Sequence, residues 1–226
     1  MQTFPFKLID LTHTLSPSIP TWNGDCGFKH DIVFDYDPTS PVQFRTHSIQ
    51  MNEGIGTHMD APAHCFKNAK TIDQLPLDDL LAPCVMIDVS SIADESFSLS
   101  VNDILSFERM HGEIPPRCVI IVKTGWEKYW DSPEKYQNNH RFPSISTEAA
   151  HLLLERDIVG VGIDTLSPDR GDTDFPVHRA LLGANKFIIE NAANLDQLPA
   201  IGSFILVAPI KIKDGTEAPV RLIAFV

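Results

Sequence analysis

Apolar and polar positions along this chain follow two periods, and the period of two dominates. Residues 7–11 read as a short strand, broken by Ser16-Pro17-Ser18-Ile19-Pro20. Residues 28–36 form a second strand that ends at Asp37-Pro38. Residues 42–53 alternate over a longer span, with Phe44, Thr46, Ser48 and Gln50 on one face and Arg45, His47, Ile49, Met51 and Glu53 on the other. Residues 85–89 and 118–123 are strands by composition, the second β-rich enough to be central. Residues 158–163 and 186–190 add two more, and 204–213 and 219–226 read as antiparallel strands across an Asp214-Gly215 turn.

Helical signals are fewer. Residues 100–110 carry Ser100 as N-cap and Asp103 in the first turn. Residues 146–156 give the strongest helix, capped by Ser146 or Thr147, with Glu148 meeting the dipole and Leu152, Leu153 and Leu154 buried. A shorter helix spans 175–184, with Asp174 as N-cap, Pro176 in its first turn, and Gly183 and Asn185 as terminators. Residues 77–81 suggest a short turn, and 124–141, aromatic and polar without clear period, a long surface loop. Strands outnumber helices, and the two best helices lie between strands. The expected fold class is α+β (mixed α/β), with residues 1–226 forming one domain.

Composition narrows the functional classes. A length of 226 residues suffices to bury a large core without disulfides, and 43% hydrophobic with 21% charged residues is ordinary for a globular protein. A formal net charge of −12 argues against nucleic acid as a partner, because phosphates would be repelled. Apolar runs such as 118–122 and 201–210 are too short to cross a bilayer, and the N-terminus has no signal architecture. Four cysteines, widely spaced and without a Cys-x-x-Cys pair, read as reduced thiols of a cytoplasmic protein.

The chemistry concentrates in Gly54-Ile55-Gly56-Thr57-His58-Met59-Asp60-Ala61-Pro62-Ala63-His64. Imidazole and carboxylate are the usual first-row metal ligands outside thiolate sites. His58 and Asp60, two apart, share a side of an extended segment, and His64 lies within reach of the same cluster. Spacing alone leaves a metal site, an acid–base site and structural histidines all open. A second cluster pairs His178, on the short helix, with Glu190, which ends the apolar strand Lys186-Phe187-Ile188-Ile189-Glu190. A charge there needs a cation or solvent. Asp164, Asp169, Asp172 and Asp174 make an acidic loop that turn and cap roles explain. Cys65, with nothing nearby to lower its pKa, reads as a buried structural thiol. His13, His30, His111, His140 and His151 have no partner pattern and read as structural.

The loop matches most of the signature His-x-Gly-Thr-His-x-Asp-x-Pro-x-His, and on it the chain resembles the cyclase-like metal-dependent hydrolases, which include bacterial kynurenine formamidases and isatin hydrolases. The resemblance continues through Gly162-Ile163-Asp164-Thr165, Phe175-Pro176-Val177-His178-Arg179-Ala180-Leu181-Leu182, Ile189-Glu190-Asn191, Asn194-Leu195-Asp196-Gln197-Leu198-Pro199 and Ala218-Pro219-Val220-Arg221. It implies a swivelling β/β/α domain, assembled as a homodimer or homotetramer, with one or two zinc ions, or manganese, per chain. By the same resemblance His58, Asp60, His178 and Glu190 are metal ligands, Asp60 bridges, His64 is the catalytic acid–base, and Trp22 lines the substrate pocket.

One position departs from the signature: its first histidine falls at Gly54. One retained ion held by His58, Asp60, His178 and Glu190, replacement of the ligand by His47 or Glu53, and decay of the site all follow as readings. A histidine restored at position 54 is then expected to raise metal occupancy. The resemblance implies hydrolysis of an amide, either a formamide such as N-formylkynurenine or a cyclic amide such as isatin, by a metal-activated water. The alternatives are a polyketide-type cyclase and a non-catalytic binding protein on a hydrolase scaffold.

Overall fold

A computed structural model describes residues 5–226. Its elements begin with β1 (Leu8–Asp10), β2 (Lys29–Phe34), β3 (Thr46–Gln50), β4 (His58–Asp60), α1 (Leu77–Leu80), β5 (Leu81–Asp88), β6 (Ser98–Leu99) and α2 (Val101–His111). They continue with β7 (Val119–Lys123), α3 (Pro133–Gln137), β8 (Ser144–Ile145), α4 (Thr147–Glu155), β9 (Gly160–Ile163), α5 (Pro176–Gly183), β10 (Phe187–Glu190), β11 (Ser203–Pro209) and β12 (Glu217–Phe225). The expected mixture of strands and helices is present.

The main sheet has eight strands in the order β1-β12-β11-β5-β7-β9-β10-β4, and β4 pairs with β12 as well as with β10. That extra pairing closes the sheet into a barrel, with β1 appended outside the ring on β12. Strands β5, β7, β9 and β10 run parallel to their neighbours in that series, and every pairing made by β4, β11 and β12 is antiparallel. Closure leaves the strands of the ring without the free edges that would otherwise template unwanted pairing.

The period-two rule explains why the apolar run at β7 is unbroken. Val119 and Ile121 enter the core inside the barrel with Met59, Ile189, Ile205 and Leu222. Ile120 and Val122 point the other way, into the core beneath the helices with Ile104, Leu153, Val161 and Leu181. A strand covered on both faces has no polar face to alternate with. The helix signals hold: Ser100 and Asp103 form a reciprocal capping box on α2, and the Ser146 side chain accepts from Ala149 N on α4.

Three expectations need correction. The alternating stretch 42–53 yields only β3, which pairs with β2 in a separate two-stranded ribbon whose residues are all exposed. Its alternation marks no buried face because no third strand covers it. The segment 124–141 is not surface loop throughout: Trp126 and Tyr136 are buried in it and pack with Phe142 and Leu166. Trp126 donates Nε1–H to the Tyr136 carbonyl at 2.8 Å, and the Tyr136 hydroxyl bonds the Asp164 carbonyl at 2.8 Å and Asn191 Oδ1 at 3.0 Å. Large aromatics can order a segment of no clear period when each polar atom finds a partner. Finally, Asp174 does not cap α5. Phe175 holds the N-cap position at φ 52°, and Asp169, farther back, receives Val177 N–H at 3.0 Å and His178 N–H at 2.9 Å.

Asp164 ties this aromatic segment to the sheet. Its carboxylate accepts from Thr124 N at 2.8 Å, Thr124 Oγ1 at 2.7 Å and Trp126 N at 3.0 Å, all buried. Removing it strands those donors, each at a cost of about 1–3 kcal/mol. Asp164→Ala is therefore expected to lower unfolding stability by about 3 kcal/mol or more, measured by urea denaturation. Asp172→Ala, which removes only an exposed pair with Arg170, should stay within about 1 kcal/mol. Equal effects would contradict the bracing role.

Candidate metal centre

Strand register builds this site. Along β4, His58 and Asp60 point to one side, being two residues apart. Across the pairing with β10, Glu190 stands directly opposite His58. Across the pairing with β12, Glu217 stands directly opposite Asp60. The helix α5 brings His178 over the same point, held at its first turn by Asp169. Four of the six site residues expected from the sequence, His58, Asp60, His178 and Glu190, thus converge although 132 positions separate the first from the last.

Distances define the cluster. His58 Nε2 lies 3.6 Å from Asp60 Oδ1 and 3.3 Å from Glu190 Oε2. His178 Nε2 lies 3.4 Å from Asp60 Oδ2 and 3.5 Å from Glu190 Oε1. Each carboxylate therefore spans the two imidazoles, one oxygen to each. All four side chains are buried.

Each imidazole is oriented from behind. His58 Nδ1 meets the Gly56 carbonyl at 2.9 Å, and His178 Nδ1 meets Asp169 Oδ2 at 2.7 Å. These bonds fix Nδ1 as the protonated nitrogen of each neutral ring and aim the Nε2 lone pair into the cluster. Gly56 itself has φ 61°, and a Cβ there would meet Leu15 Cδ2 at 2.4 Å, so the turn that presents this carbonyl requires glycine. Thr57 locks the turn by donating to the Asn191 carbonyl at 2.6 Å, while Asn191 Nδ2 donates to the Gly56 carbonyl at 2.8 Å.

The residues fit a divalent cation on two observations. Two ligands bonded to one tetrahedral zinc at about 2.0–2.2 Å lie about 3.4 Å apart, the spacing found here. Asp60 Oδ1, fully buried, also has no hydrogen-bond partner among the described residues, which leaves it free to bind a cation. Titration follows the same logic. Burial lowers the His58 pKa, but its hydrogen bond to Glu190 and the charges of Glu190 and Asp60 outweigh this and raise it to about 10. His178 likewise moves well above its ordinary value, burial being overcome by Asp169, Asp60 and Glu190. Burial raises the Glu190 pKa, and the two imidazoles reverse it to a net lowering.

His64, on a single turn after β4, stands at the edge of the cluster, its ring centre 6.0 Å from that of His178. Its Nδ1 lies 3.3 Å from Glu217 Oε2, and that bond is the chief cause raising its pKa. These groups form the floor of a cavity of about 490 Å³ whose walls include Trp22, Leu166 and Phe175. Trp22 stacks on His140 with ring centres 4.0 Å apart.

Two sequence candidates fall away. His47 sits on the exposed ribbon with its ring 4.3 Å from that of His30. Glu53 accepts from Thr216 N at 3.0 Å and Glu217 N at 3.4 Å, and neither residue lines the cavity. Cys65 is exposed at the cavity rather than buried, and partial desolvation raises its thiol pKa, which disfavours a nucleophilic thiolate. Sequence reasoning missed Asp169 as the orienter of His178, and Glu217 altogether. The one signal for Glu217 was an acid placed just before Ala218-Pro219-Val220-Arg221.

Known proteins similar to this chain identify its family. The family described as "Putative cyclase" matches residues 9–170. The chain is 31% identical to the isatin hydrolase of Roseibium aggregatum, over 97% of this chain and 92% of that protein. It is 28% identical to the kynurenine formamidase of Salinibacter ruber, over 96% of each. Isatin hydrolase A from Labrenzia aggregata, solved with benzyl benzoate, aligns with a TM-score of 0.89 at 35% identity, over 98% of this chain and 94% of that one. An isatin hydrolase bound to the product analogue thioisatinate aligns with the same TM-score of 0.89 at 30% identity, over 98% and 92%. By sequence along most of its length, the chain belongs to the cyclase family of metal-dependent hydrolases.

Proposed function

We propose that the chain hydrolyses an amide whose nitrogen is borne on an aromatic ring, with a cyclic amide of the isatin type as the first candidate and an N-formyl arylamine as the second. The observation that carries this reading is the convergence of two oriented imidazoles and two spanning carboxylates beneath a cavity walled by Trp22 and Phe175. The greater identity to isatin hydrolases than to kynurenine formamidases orders the two substrates.

His58, Asp60, His178 and Glu190 would hold the cation, zinc or alternatively manganese, with Asp60 and Glu190 each offering one oxygen to either side. A divalent cation held there supplies Lewis acidity toward water and toward a carbonyl oxygen. Asp60 and Glu190 act as fixed negative charge and do not move protons. His64 takes the proton of the attacking water and returns it to the leaving nitrogen. With Nδ1 engaged by Glu217, Nε2 is its nitrogen available for that transfer. Trp22 and Phe175 present aromatic faces against which a fused ring can stack, and they exclude water from the reacting carbonyl.

Metal-reconstituted protein is expected to turn over isatin in an assay of ring opening, with N-formylkynurenine run in parallel. His64→Ala should lower kcat by about 10²–10⁴-fold while metal content, read by elemental analysis, stays unchanged. Full activity in that variant, or loss of its metal, would overturn the acid–base role.

Stability should respond to pH in a matching way. In chelator-treated protein the raised His58 pKa stabilises the fold fully below about pH 6.5, and that contribution is lost as the pH climbs toward about 10. Loading with metal requires unprotonated imidazoles, so it strengthens over the same range. The difference in melting temperature between metal-loaded and chelator-treated protein should therefore widen from about pH 6 to about pH 9. A difference that is constant or shrinks would contradict the site.

A further inference from the structure

Gly54 and Glu217 compete for one volume. A Cβ added at Gly54 would lie 2.0 Å from Glu217 Oε1 and 2.9 Å from its Cδ, and 3.4 Å from His58 Nε2. The Glu217 carboxylate therefore fills the space that a side chain from position 54 would need on its way to the cluster. From there Oε1 lies 3.9 Å from His58 Nε2. The metal-ligating atoms of His58, Asp60 and Glu217 all fall within 4.8 Å of one another.

The placement of Glu217 is built into the fold. Register sets it opposite Asp60. Glu53 grips the backbone that carries it, through the Thr216 and Glu217 amides. The Glu217 side chain, 24% exposed, is thereby the third carboxylate at the edge of the cluster, after Asp60 and Glu190.

We propose that Glu217 supplies the ligand that Gly54 lacks, completing a three-donor set with His58 and Asp60 through Oε1 while Oε2 holds His64 in place. This rests on the reading of the cluster as a metal centre. It replaces an imidazole with a carboxylate, giving that half of the site one nitrogen and two oxygen donors, a set that suits manganese as well as zinc. It also carries a different expectation for position 54. A histidine introduced there displaces Glu217 and exchanges one ligand for another, so it adds none.

The test is a titration of chelator-stripped protein with zinc, then separately with manganese, scoring stoichiometry by elemental analysis and affinity by competition with a chelating dye. Circular dichroism verifies that each variant is folded. Glu217→Ala is expected to weaken binding at least about 100-fold, exceeding the loss typical of a residue that only supports a ligand. Glu217→Gln, which preserves shape, should weaken it in the same direction. Gly54→His alone should bind no more tightly than the parent, and Gly54→His combined with Glu217→Ala should recover at least about tenfold over Glu217→Ala. Folded Glu217→Ala with parental affinity and stoichiometry would overturn the proposal while leaving the metal centre standing. A parent protein that takes up neither ion would overturn both.

Discussion

The structure is organised around carboxylates gathered so closely that positive charge must stand among them, as protonated imidazoles or as a bound cation. Asp60 and Glu190 are buried side by side, each divided between His58 and His178, and Glu217 adds a third carboxylate at their edge. Isolated buried carboxylates would neutralise themselves by taking up protons. Here the opposite occurs for Glu190, and the imidazoles hold their protons far above their ordinary range. Protons and divalent ions thus answer the same electrostatic need at one point. Breaking a buried charge set by removing one partner costs about 3–5 kcal/mol, so the cluster bears on the stability of the fold.

The barrel exists in a form that makes this possible. Strand β4 is only three residues long, yet it pairs on both sides and closes the ring. Its two polar residues face Glu190 across one pairing and Glu217 across the other. The apolar member, Met59, points into the barrel core. One short strand therefore both seals the sheet and gathers imidazole and carboxylate groups from three segments of chain. The loop before it must turn tightly to deliver that strand, which is the physical reason for Gly56.

Much of this was legible in the sequence, and unequally so. The helices announced themselves through Ser100 and Ser146, whose caps act locally. The buried strands could be read from runs such as residues 118–123, because burial on both faces leaves a continuous apolar signature. Barrel closure could not be read, since pairing of β4 with β12 is a contact between distant segments. The ribbon of β2 and β3 misled for a related reason: alternation reports a half-buried strand only when something covers one face. The four side chains that converge, His58, Asp60, His178 and Glu190, were singled out through motif resemblance. Asp169 was hidden among loop acids whose neighbours serve as turns, and Glu217 stood outside every motif. Its meaning emerges only beside Gly54, and those two positions meet solely in three dimensions.

Anomalous diffraction from crystals grown with zinc, collected on both sides of the zinc absorption edge, addresses the centre most directly. A strong edge-dependent peak among His58 Nε2, His178 Nε2, Asp60 and Glu190, with Glu217 within bonding distance, is the expected result. Crystals that show no such peak, with the same imidazoles and carboxylates paired only to one another, would contradict the assignment of this cluster as a metal centre.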